Sequence, residues 1–317
     1  MTSNFSFKMA FTTKNCISGD FYFENDTGFL YCLYIFFSHR QVFMKLSSWT
    51  KTEDETRHTI AAAFVNARLN GGCVLEYPAN MPSDLDEAYA IQDDAIKLWP
   101  QEIVGWKVGG LSEIYAAQYG TDRLTGPVFK HMFKDISGQS DAPSVEMKVL
   151  SEGFAAVEAE IVIIVAQDAP ADKQDWSRED AQSMVGSFHA GIEIASSPFA
   201  GINEFGPLVT ISDFGNNYGL ILGPEIDATA SDFGEMGLTT YVDDEKVGTG
   251  SPANLSGGPL ESFRKLLEIS SKRGLPLKKG MAVTTGALTG IHPVKAGQSS
   301  RIEFGEGIIL QCHFVKA

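Results

Sequence analysis

Two acidic residues lie two positions apart in a long apolar segment, Phe154–Val165. Because successive side chains of a β-strand point to opposite faces, Glu158 and Glu160 are expected to share one face. Two carboxylates about 7 Å apart along a strand repel each other unless a cation lies between them, and Mg²⁺ and Mn²⁺ prefer such oxygen ligands. Taken alone, the pair is explained more simply as part of a solvated sheet face.

A third acid, Glu193, lies in another apolar segment, between Ile192 and Ile194. It is either a surface-facing strand residue or, combined with the first pair, the third corner of a three-carboxylate metal site. His189 precedes it by four residues, and a packing or supporting role is favoured for this histidine over metal ligation.

A lysine, Lys107, lies in the middle of the apolar, glycine-flanked segment of residues 105–110. Lysines are rarely buried without a partner, so the position is unusual. Its ammonium group would stabilise a developing oxyanion or move a proton. The alternative is a lysine on an edge strand whose charged end reaches solvent, and the segment alone leaves both interpretations open.

Two polar segments rich in glycine complete the candidate chemistry. Residues 211–224, which include Asp213, would present backbone N–H and amide groups to a carboxylate ligand, or would form a simple Asx-type turn. The glycines of residues 283–297 would let the backbone approach a bound anion. The chain has no P-loop, no G-x-G-x-x-G after a strand and no G-x-S-x-G, so the sequence predicts neither nucleotide binding nor a Ser/His/Asp triad.

The elements that position these residues change in character along the chain. Periodicity predicts helices at residues 52–69, 85–98 and 112–119, with a short strand at 102–110. After residue 126 strands dominate, without the alternation of a doubly wound sheet, and helices interrupt them near residues 178–184 and 260–271. The acids of residues 243–245 lie between two β-rich runs and predict a hairpin tip. We therefore expect an α+β fold that is mostly β, with an α-rich region at residues 44–125 and a catalytic β domain at residues 126–317.

Composition narrows the possible partners. The 317 residues include 40 acidic and 25 basic side chains, a formal net charge of −15, which argues against nucleic acid and favours attraction of a metal cation. The longest apolar run, residues 29–37, is far shorter than the ~20 residues that a spanning helix needs, so we expect no membrane partner. Four cysteines without a C-x-x-C pair indicate a reducing, cytoplasmic environment.

Residues 1–43 differ from the rest of the chain. They are rich in aromatic side chains and show neither a helical nor a strand period. We interpret them as an atypical N-terminal extension. Either the translation start is assigned too early and Met44 is the true one, or the extension packs on the body of the protein or on a partner.

The order of the segments resembles the fumarylacetoacetate hydrolase superfamily, and within it the 2-keto-4-pentenoate hydratase and 4-oxalocrotonate decarboxylase branch. The resemblance covers roughly residues 50–315. The matching segments, in chain order, are GWKVG (105–109), VEAEIVI (157–163), GIEIASS (191–197), ISDFGNNYGLILGP (211–224) and TTGALTGIHPVKAGQSSRIEFGEGI (284–308).

The resemblance implies a mixed β-roll, a barrel-like β-sandwich with peripheral helices, in a homo-oligomer. The E-x-E acids and the later acid of the family match Glu158, Glu160 and Glu193, which would hold Mg²⁺ or Mn²⁺, and the family's strand lysine matches Lys107. The family's T-G-x-L-T-G segment helps to hold the substrate carboxylate. The candidate substrate-binding residues of this chain are Asp213, Thr285, Gly286 and Thr289.

The implied activity is that of a lyase on a small 2-oxo or 2-hydroxydienoic acid, through an enolate that the metal stabilises. Hydration ranks first, decarboxylation second and carbon–carbon hydrolysis third, and the alternative outside enzymes is an inactive metabolite-binding or scaffold relative. This chain departs from the hydratase pattern at two places. Thr125 stands where an Asp is expected, and residues 213–216 read DFGN rather than a D-N-A-S-type sequence.

Overall fold

The computed structural model describes residues 18–24, 30–38, 41–49, 53–139 and 143–317, with side chains from residue 54 onward. The chain divides into two units, Met1–Thr56 and Arg57–Ala317.

The first unit contains a three-stranded antiparallel sheet. Its strands, in the order β1-β2-β3, are β1 (Ser18–Glu24), β2 (Leu30–Ser38) and β3 (Gln41–Trp49). These segments are therefore strands although the sequence of residues 1–43 shows no strand period. The aromatic run is apolar at every position, so it lacks the alternation by which a half-buried strand is recognised. Part of the region lies outside the described residues, and the proposed start at Met44 stays a prediction.

Six helices are present in the described part of the chain, and five of them were expected. α2 begins where the Asp84 side chain accepts a hydrogen bond from the Glu87 N–H, which satisfies one of the free donors of a helix N-terminus. The helices are α1 (Glu53–Leu69), α2 (Leu85–Leu98), α3 (Glu113–Tyr119), α4 (Arg178–Ser183), α5 (Pro207–Ser212) and α6 (Gly258–Lys272). The six residues of α5 are too few to show a helical period, which is why it was not predicted.

Strands outnumber helices in the second unit, as expected. They are β4 (Ile103–Gly110), β5 (Arg123–Phe129), β6 (Phe133–Asp135), β7 (Ser144–Val149), β8 (Phe154–Val165), β9 (Val185–Ser197), β10 (Asn217–Ile226), β11 (Leu238–Val242), β12 (Glu245–Gly250), β13 (Ala282–Thr284), β14 (His292–Pro293), β15 (Ser299–Phe304) and β16 (Ile308–Lys316).

These strands form two sheets. The eight-stranded sheet has the order β5-β4-β13-β8-β9-β10-β6, with β14 paired to β8, and the five-stranded sheet has the order β12-β11-β15-β16-β7. Both contain parallel and antiparallel pairs. The α+β, mostly β class expected from the sequence is confirmed.

One face of β8 forms the core between the two sheets. Val157, Ala159 and Ile161 are fully buried in one apolar cluster with Ile302 and Phe314 of the five-stranded sheet. Because side chains alternate along a strand, this packing places the even-numbered residues of β8 on the opposite face of the sheet. The core therefore fixes the direction in which Glu158 and Glu160 point.

Helices cover parts of the other face of the large sheet. α1 and α2 contribute Ile60, Phe64 and Ile91 to a cluster that includes Phe129 of β5. None of the helices in the described residues is long and apolar enough to cross a membrane. The expected domain boundary at residue 126 lies inside β5, and that division of the chain stays a prediction.

Candidate active site

The register of two neighbouring strands brings three glutamates together. Glu158 of β8 lies directly opposite Glu193 of β9, and Glu160 lies opposite Gly191. Paired residues of antiparallel strands point to the same face, so the three side chains converge. One carboxylate oxygen from each lies within 4.8 Å of the others, and the three residues are 4%, 0% and 0% exposed.

Glycine is required opposite Glu160. A Cβ atom at position 191 would lie 2.3 Å from Cγ2 of Val162, which follows Glu160 on the same face of β8. Such a contact is far inside van der Waals distance, so a larger residue would displace β8 or β9. The glycine keeps the two strands close enough for their acids to meet.

The Glu193 carboxylate has three polar neighbours from three strands. Nζ of Lys107, on β4, lies 3.3 Å from Oε1. Nδ2 of Asn217, at the start of β10, donates to the same oxygen at 3.0 Å. Oγ1 of Thr284, on β13, donates to Oε2 at 3.3 Å. These contacts fix the orientation of Glu193, and Lys107 is buried beside the acids rather than extended to solvent.

Glu160 is held differently. The backbone N–H of Gly286 donates to its Oε2 at 2.7 Å, and Gly286 has the positive φ of 121° that favours glycine. Its other oxygen, Oε1, is buried and has no hydrogen-bond partner. A buried carboxylate oxygen without a partner is energetically costly, and a cation among the three acids would satisfy it.

Burial and mutual repulsion shift the acids toward their neutral forms. Burial raises the pKa of Glu158 to about 7, although Lys107 opposes the shift. Burial, and next the negative charge of Glu193, raise the pKa of Glu160 well above its usual value. For Lys107 burial lowers the pKa, but Glu193, Glu158 and Glu160 outweigh it, so the net direction is upward. One lysine therefore faces three acids, and this donor set fits a divalent cation bound through oxygen.

A cavity of about 560 Å³ opens beside Lys107 and Glu158. Its size is within the range of sites for small organic ligands. Besides these two residues, its lining includes Gly109, Gly110, Leu111, Ser112, Tyr115, Arg123, Leu124, Asn203, Gly206, Pro207, Thr210, Asn216, Asn254, Leu255, Ser256, Thr285, Gly286, Ala287, Gly290 and Ile291. A cavity of about 940 Å³ lies elsewhere on the unit, and none of the three glutamates lines it.

Comparison with known proteins identifies relatives over most of the chain. It is 27% identical over 266 residues to the 2-keto-4-pentenoate hydratase of Paraburkholderia xenovorans (strain LB400), covering 82% of this chain and 91% of the relative. It is 28% identical over 257 residues to the enzyme of the same name from Burkholderia vietnamiensis (strain G4 / LMG 22486), covering 77% of this chain and 92% of the relative. No family model matches the chain.

The fold has a solved counterpart. The structure of 4-oxalocrotonate decarboxylase from Pseudomonas putida G7, complexed with magnesium and adipate, matches with a TM-score of 0.69 at 20% sequence identity, covering 84% of this chain and 99% of that one. In sequence and in fold the chain is similar to members of the fumarylacetoacetate hydrolase superfamily. Its relatives by sequence are named 2-keto-4-pentenoate hydratase, which confirms the resemblance expected from the motifs.

Not all segments that match the superfamily reach the cavity. Thr285 and Gly286 line it, whereas Thr289 does not, and the hydroxyl of Thr289 lies 2.7 Å from that of Thr240. Asp213 is fully buried away from the cavity lining, where its carboxylate accepts hydrogen bonds from Arg68 and Ser197. This arrangement supports a structural role for Asp213 rather than the expected direct contact with substrate.

His189 and Thr125 also lie apart from the three acids. The ring nitrogens of His189 contact the Gly223 carbonyl oxygen at 2.9 Å and the Ser187 hydroxyl at 2.8 Å, in agreement with a packing role. The Thr125 hydroxyl lies 3.5 Å from the Tyr89 hydroxyl, and Thr125 does not line the cavity.

Four residues that shape this site were not predicted from the sequence. Thr284 and Asn217 bind Glu193, and Arg123 and Asn216 line the cavity. Arg123 could have been found as the one charged residue of a strand that is buried throughout. The asparagines lie in the turn that was singled out, but spacing alone did not show which of its polar side chains points inward.

Proposed function

We propose that the protein is a metal-dependent hydro-lyase that adds water to a small 2-oxo or 2-hydroxydienoic acid. The observation that carries this proposal is the buried cluster of three glutamates beside Lys107, of which Glu158 and Lys107 line a cavity of about 560 Å³. The sequence relatives named 2-keto-4-pentenoate hydratase support the same reaction class. We also propose that it acts in the cytoplasm as a homo-oligomer, as the sequence led us to expect.

Glu158, Glu160 and Glu193 would hold Mg²⁺ or Mn²⁺, because both ions prefer carboxylate oxygens. When bound, the cation supplies Lewis-acid polarisation of the 2-oxo group. The unpaired Oε1 of Glu160 and the excess of negative charge in the cluster support this assignment.

Lys107 supplies a fixed positive charge at the same place. Its ammonium group is buried, lies 3.3 Å from Glu193 and lines the cavity, so it stabilises negative charge that develops on a substrate oxygen. Thr285 and Gly286 form the neighbouring wall and would help to hold the substrate carboxylate, as the superfamily motif implies.

The reaction itself is an addition. With 2-keto-4-pentenoate, water forms a C–O bond at C4 and a C–H bond at C5, the 4,5 double bond is lost, and the product is 4-hydroxy-2-oxopentanoate. Leu111, Leu124 and Leu255 make part of the cavity wall apolar, which suits a short hydrocarbon chain.

Decarboxylation of a 2-oxo dicarboxylic acid is the second candidate. It is favoured by the absence of a carboxyl group at Thr125 and by the cavity lining, in which Glu158 is the one acid among the described residues. The resemblance implies that hydratases have an acid at the position that Thr125 matches, where it would relay a proton. Release of CO₂ from such a substrate, measured beside hydration of a five-carbon substrate, discriminates the two reactions.

Turnover of 2-hydroxypenta-2,4-dienoate with Mg²⁺ or Mn²⁺ tests the proposal. The loss of the conjugated chromophore follows the reaction, and NMR identifies the C4 hydroxyl of the product. We expect Lys107→Met to lower kcat by about 10²–10³-fold, because it removes charge stabilisation that is needed in the transition state.

The matched control is Lys279→Met, which removes an exposed lysine outside the cavity lining and should leave kcat unchanged. Unchanged turnover in Lys107→Met, or no metal-dependent turnover of any such acid by the unmodified protein, would show that the proposed function is wrong.

A further inference from the structure

One polar side chain in the cavity wall has no structural partner. Asn216 lines the same cavity as Lys107 and Glu158, is 5% exposed, and its Oδ1 is buried without a hydrogen-bond partner. A buried amide normally finds partners within the protein, so its unused oxygen indicates a group that arrives from outside.

The backbone around Asn216 is held in an unusual conformation. Phe214, Gly215 and Asn216 have consecutive positive φ angles of 54°, 61° and 66°. Residues other than glycine rarely adopt this backbone region, and a bulky residue such as phenylalanine is strained there. The surrounding structure must therefore stabilise the turn. Such turns occur frequently at functional sites.

A buried ion pair holds both ends of this turn. Arg68 donates from Nε to Oδ1 of Asp213 at 2.5 Å and from Nη2 to Oδ2 at 2.9 Å. The same guanidinium donates to the backbone carbonyl of Asn217 at 2.9 Å and to that of Ser196 at 3.0 Å. Residues immediately before and after the three strained positions are therefore fixed by one side chain.

The turn lies against the strand that pairs with the Lys107 strand. A Cβ atom on Gly126 would lie 1.9 Å from the carbonyl oxygen of Phe214, so the two backbones are in direct contact. Gly126 is also the residue opposite Lys107 in the β4–β5 pair. Asn216 therefore reaches the cavity close to Lys107, the residue proposed to stabilise developing negative charge.

The chemistry of an amide limits what it binds here. A carboxylate offers only acceptors and would leave the buried Oδ1 unsatisfied, whereas a hydroxyl group or a water molecule offers both a proton and lone pairs. A single hydroxyl group or water molecule can therefore satisfy both the donor and the acceptor of this amide.

We propose that Asn216 binds the hydroxyl group that hydration places at C4 of the product, and the water from which that hydroxyl comes. This assignment rests on the proposed function and makes Asn216 a residue that determines specificity for hydration in this chain. It supplies a polar group for the incoming water although Thr125 provides no acid.

Ligand binding to the Mn²⁺-loaded protein tests this inference without turnover. The two ligands are 4-hydroxy-2-oxopentanoate, each enantiomer separately, and 2-oxopentanoate, which differs only by the missing hydroxyl. Calorimetry should show that the unmodified protein binds one hydroxylated enantiomer about tenfold more tightly, since the analogue leaves Oδ1 without a partner. In Asn216→Gly this preference should fall below about twofold.

Asn216→Gly is suitable because glycine accepts the positive φ and the substitution removes the side-chain amide. The matched control, Asp244→Gly, replaces another residue of positive φ (65°) at the β11–β12 turn and should keep the full preference. Both variants should keep the affinity for oxalate, a planar dicarboxylate without a hydroxyl group.

If the unmodified protein binds Mn²⁺ and oxalate but shows no preference for the hydroxylated ligand, or if Asn216→Gly retains the preference, the role proposed for Asn216 is wrong. Absence of Mn²⁺ and oxalate binding would instead overturn the proposed function on which it rests.

Discussion

The electrostatics of the site are set at single residues. Three buried carboxylates share a space with one ammonium group, and burial favours the protonated form of Glu158 and Glu160. In the presence of a divalent cation the same acids would be deprotonated, because a metal ligand must release its proton. Proton binding and metal binding therefore compete at this cluster.

This competition predicts how the metal-free protein responds to pH. The pKa of Glu158 is about 7 in the folded state and about 4.5 in the absence of burial. A carboxyl group with a raised pKa stabilises the fold fully below about pH 4.5, and this stabilisation is lost as the pH rises through about 7. We expect the free energy of unfolding to decrease across this window relative to that of Glu158→Gln, as measured by urea denaturation. A difference between the two proteins that is flat or increases with pH would contradict the assigned direction.

At the scale of the elements, the turn between α5 and β10 depends on a long-range ion pair. Arg68 lies in the last turn of α1, and its partner Asp213 lies 145 residues later, with both side chains fully buried. The pair joins a peripheral helix to the residues that present Asn216 and Asn217, so it positions the site without touching the cavity.

Removing one partner of the Arg68–Asp213 ion pair should lower the stability of the fold. We expect Asp213→Asn to lower the free energy of unfolding by about 3–5 kcal/mol, because it leaves the charge of Arg68 buried without its counterion. The control is Lys316→Met, which removes an exposed ion pair with Glu152 and should cost less than about 1 kcal/mol. Urea denaturation compares the two, and equal losses would show that the Arg68–Asp213 pair does not hold the turn.

Local pattern predicted some elements well and others not at all. β8 was predicted with its observed bounds. Its twelve residues are apolar except for two acids, and this pattern is typical of a buried strand. The short helix α5 and the strands of residues 18–49 carry no clear period and were missed. The hairpin tip at Asp243–Asp244 was predicted correctly, since two acids in succession between β-rich runs are typical of a turn.

The site was predicted only in part for the same reason, since contacts between residues far apart along the chain leave no local pattern in the sequence. Spacing within one strand showed that Glu158 and Glu160 share a face. Glu193 was a candidate third ligand from its place in a second apolar segment, and the family resemblance matched it to the same site. The partners of Asp213 come from residues far along the chain, and no local signal indicated that Arg68 would occupy its carboxylate. Thr289 lies in the expected segment, but its hydroxyl points to Thr240 because β11 packs there.

At the scale of the whole molecule, the packing of the two sheets places the apolar core on one face of β8 and the candidate active site on the other. The face of β8 between the sheets is apolar and packs against the five-stranded sheet, whereas its other face carries the acids. The net charge of −15 favours the approach of a cation and, at low ionic strength, disfavours anionic substrates away from the site. A bound metal would offset that repulsion locally.

We propose that the three glutamates form one divalent-cation site that a 2-oxo acid completes. Calorimetric titration of the metal-stripped protein with Mn²⁺ in the presence of oxalate tests it most directly, with Glu152→Gln as the exposed-acid control. We predict saturable binding of about one ion per chain, lost in Glu160→Gln and retained in the control, because each carboxylate contributes a ligand oxygen. Absence of specific binding, or equal binding by Glu160→Gln, would contradict the account and leave the acids as parts of the fold.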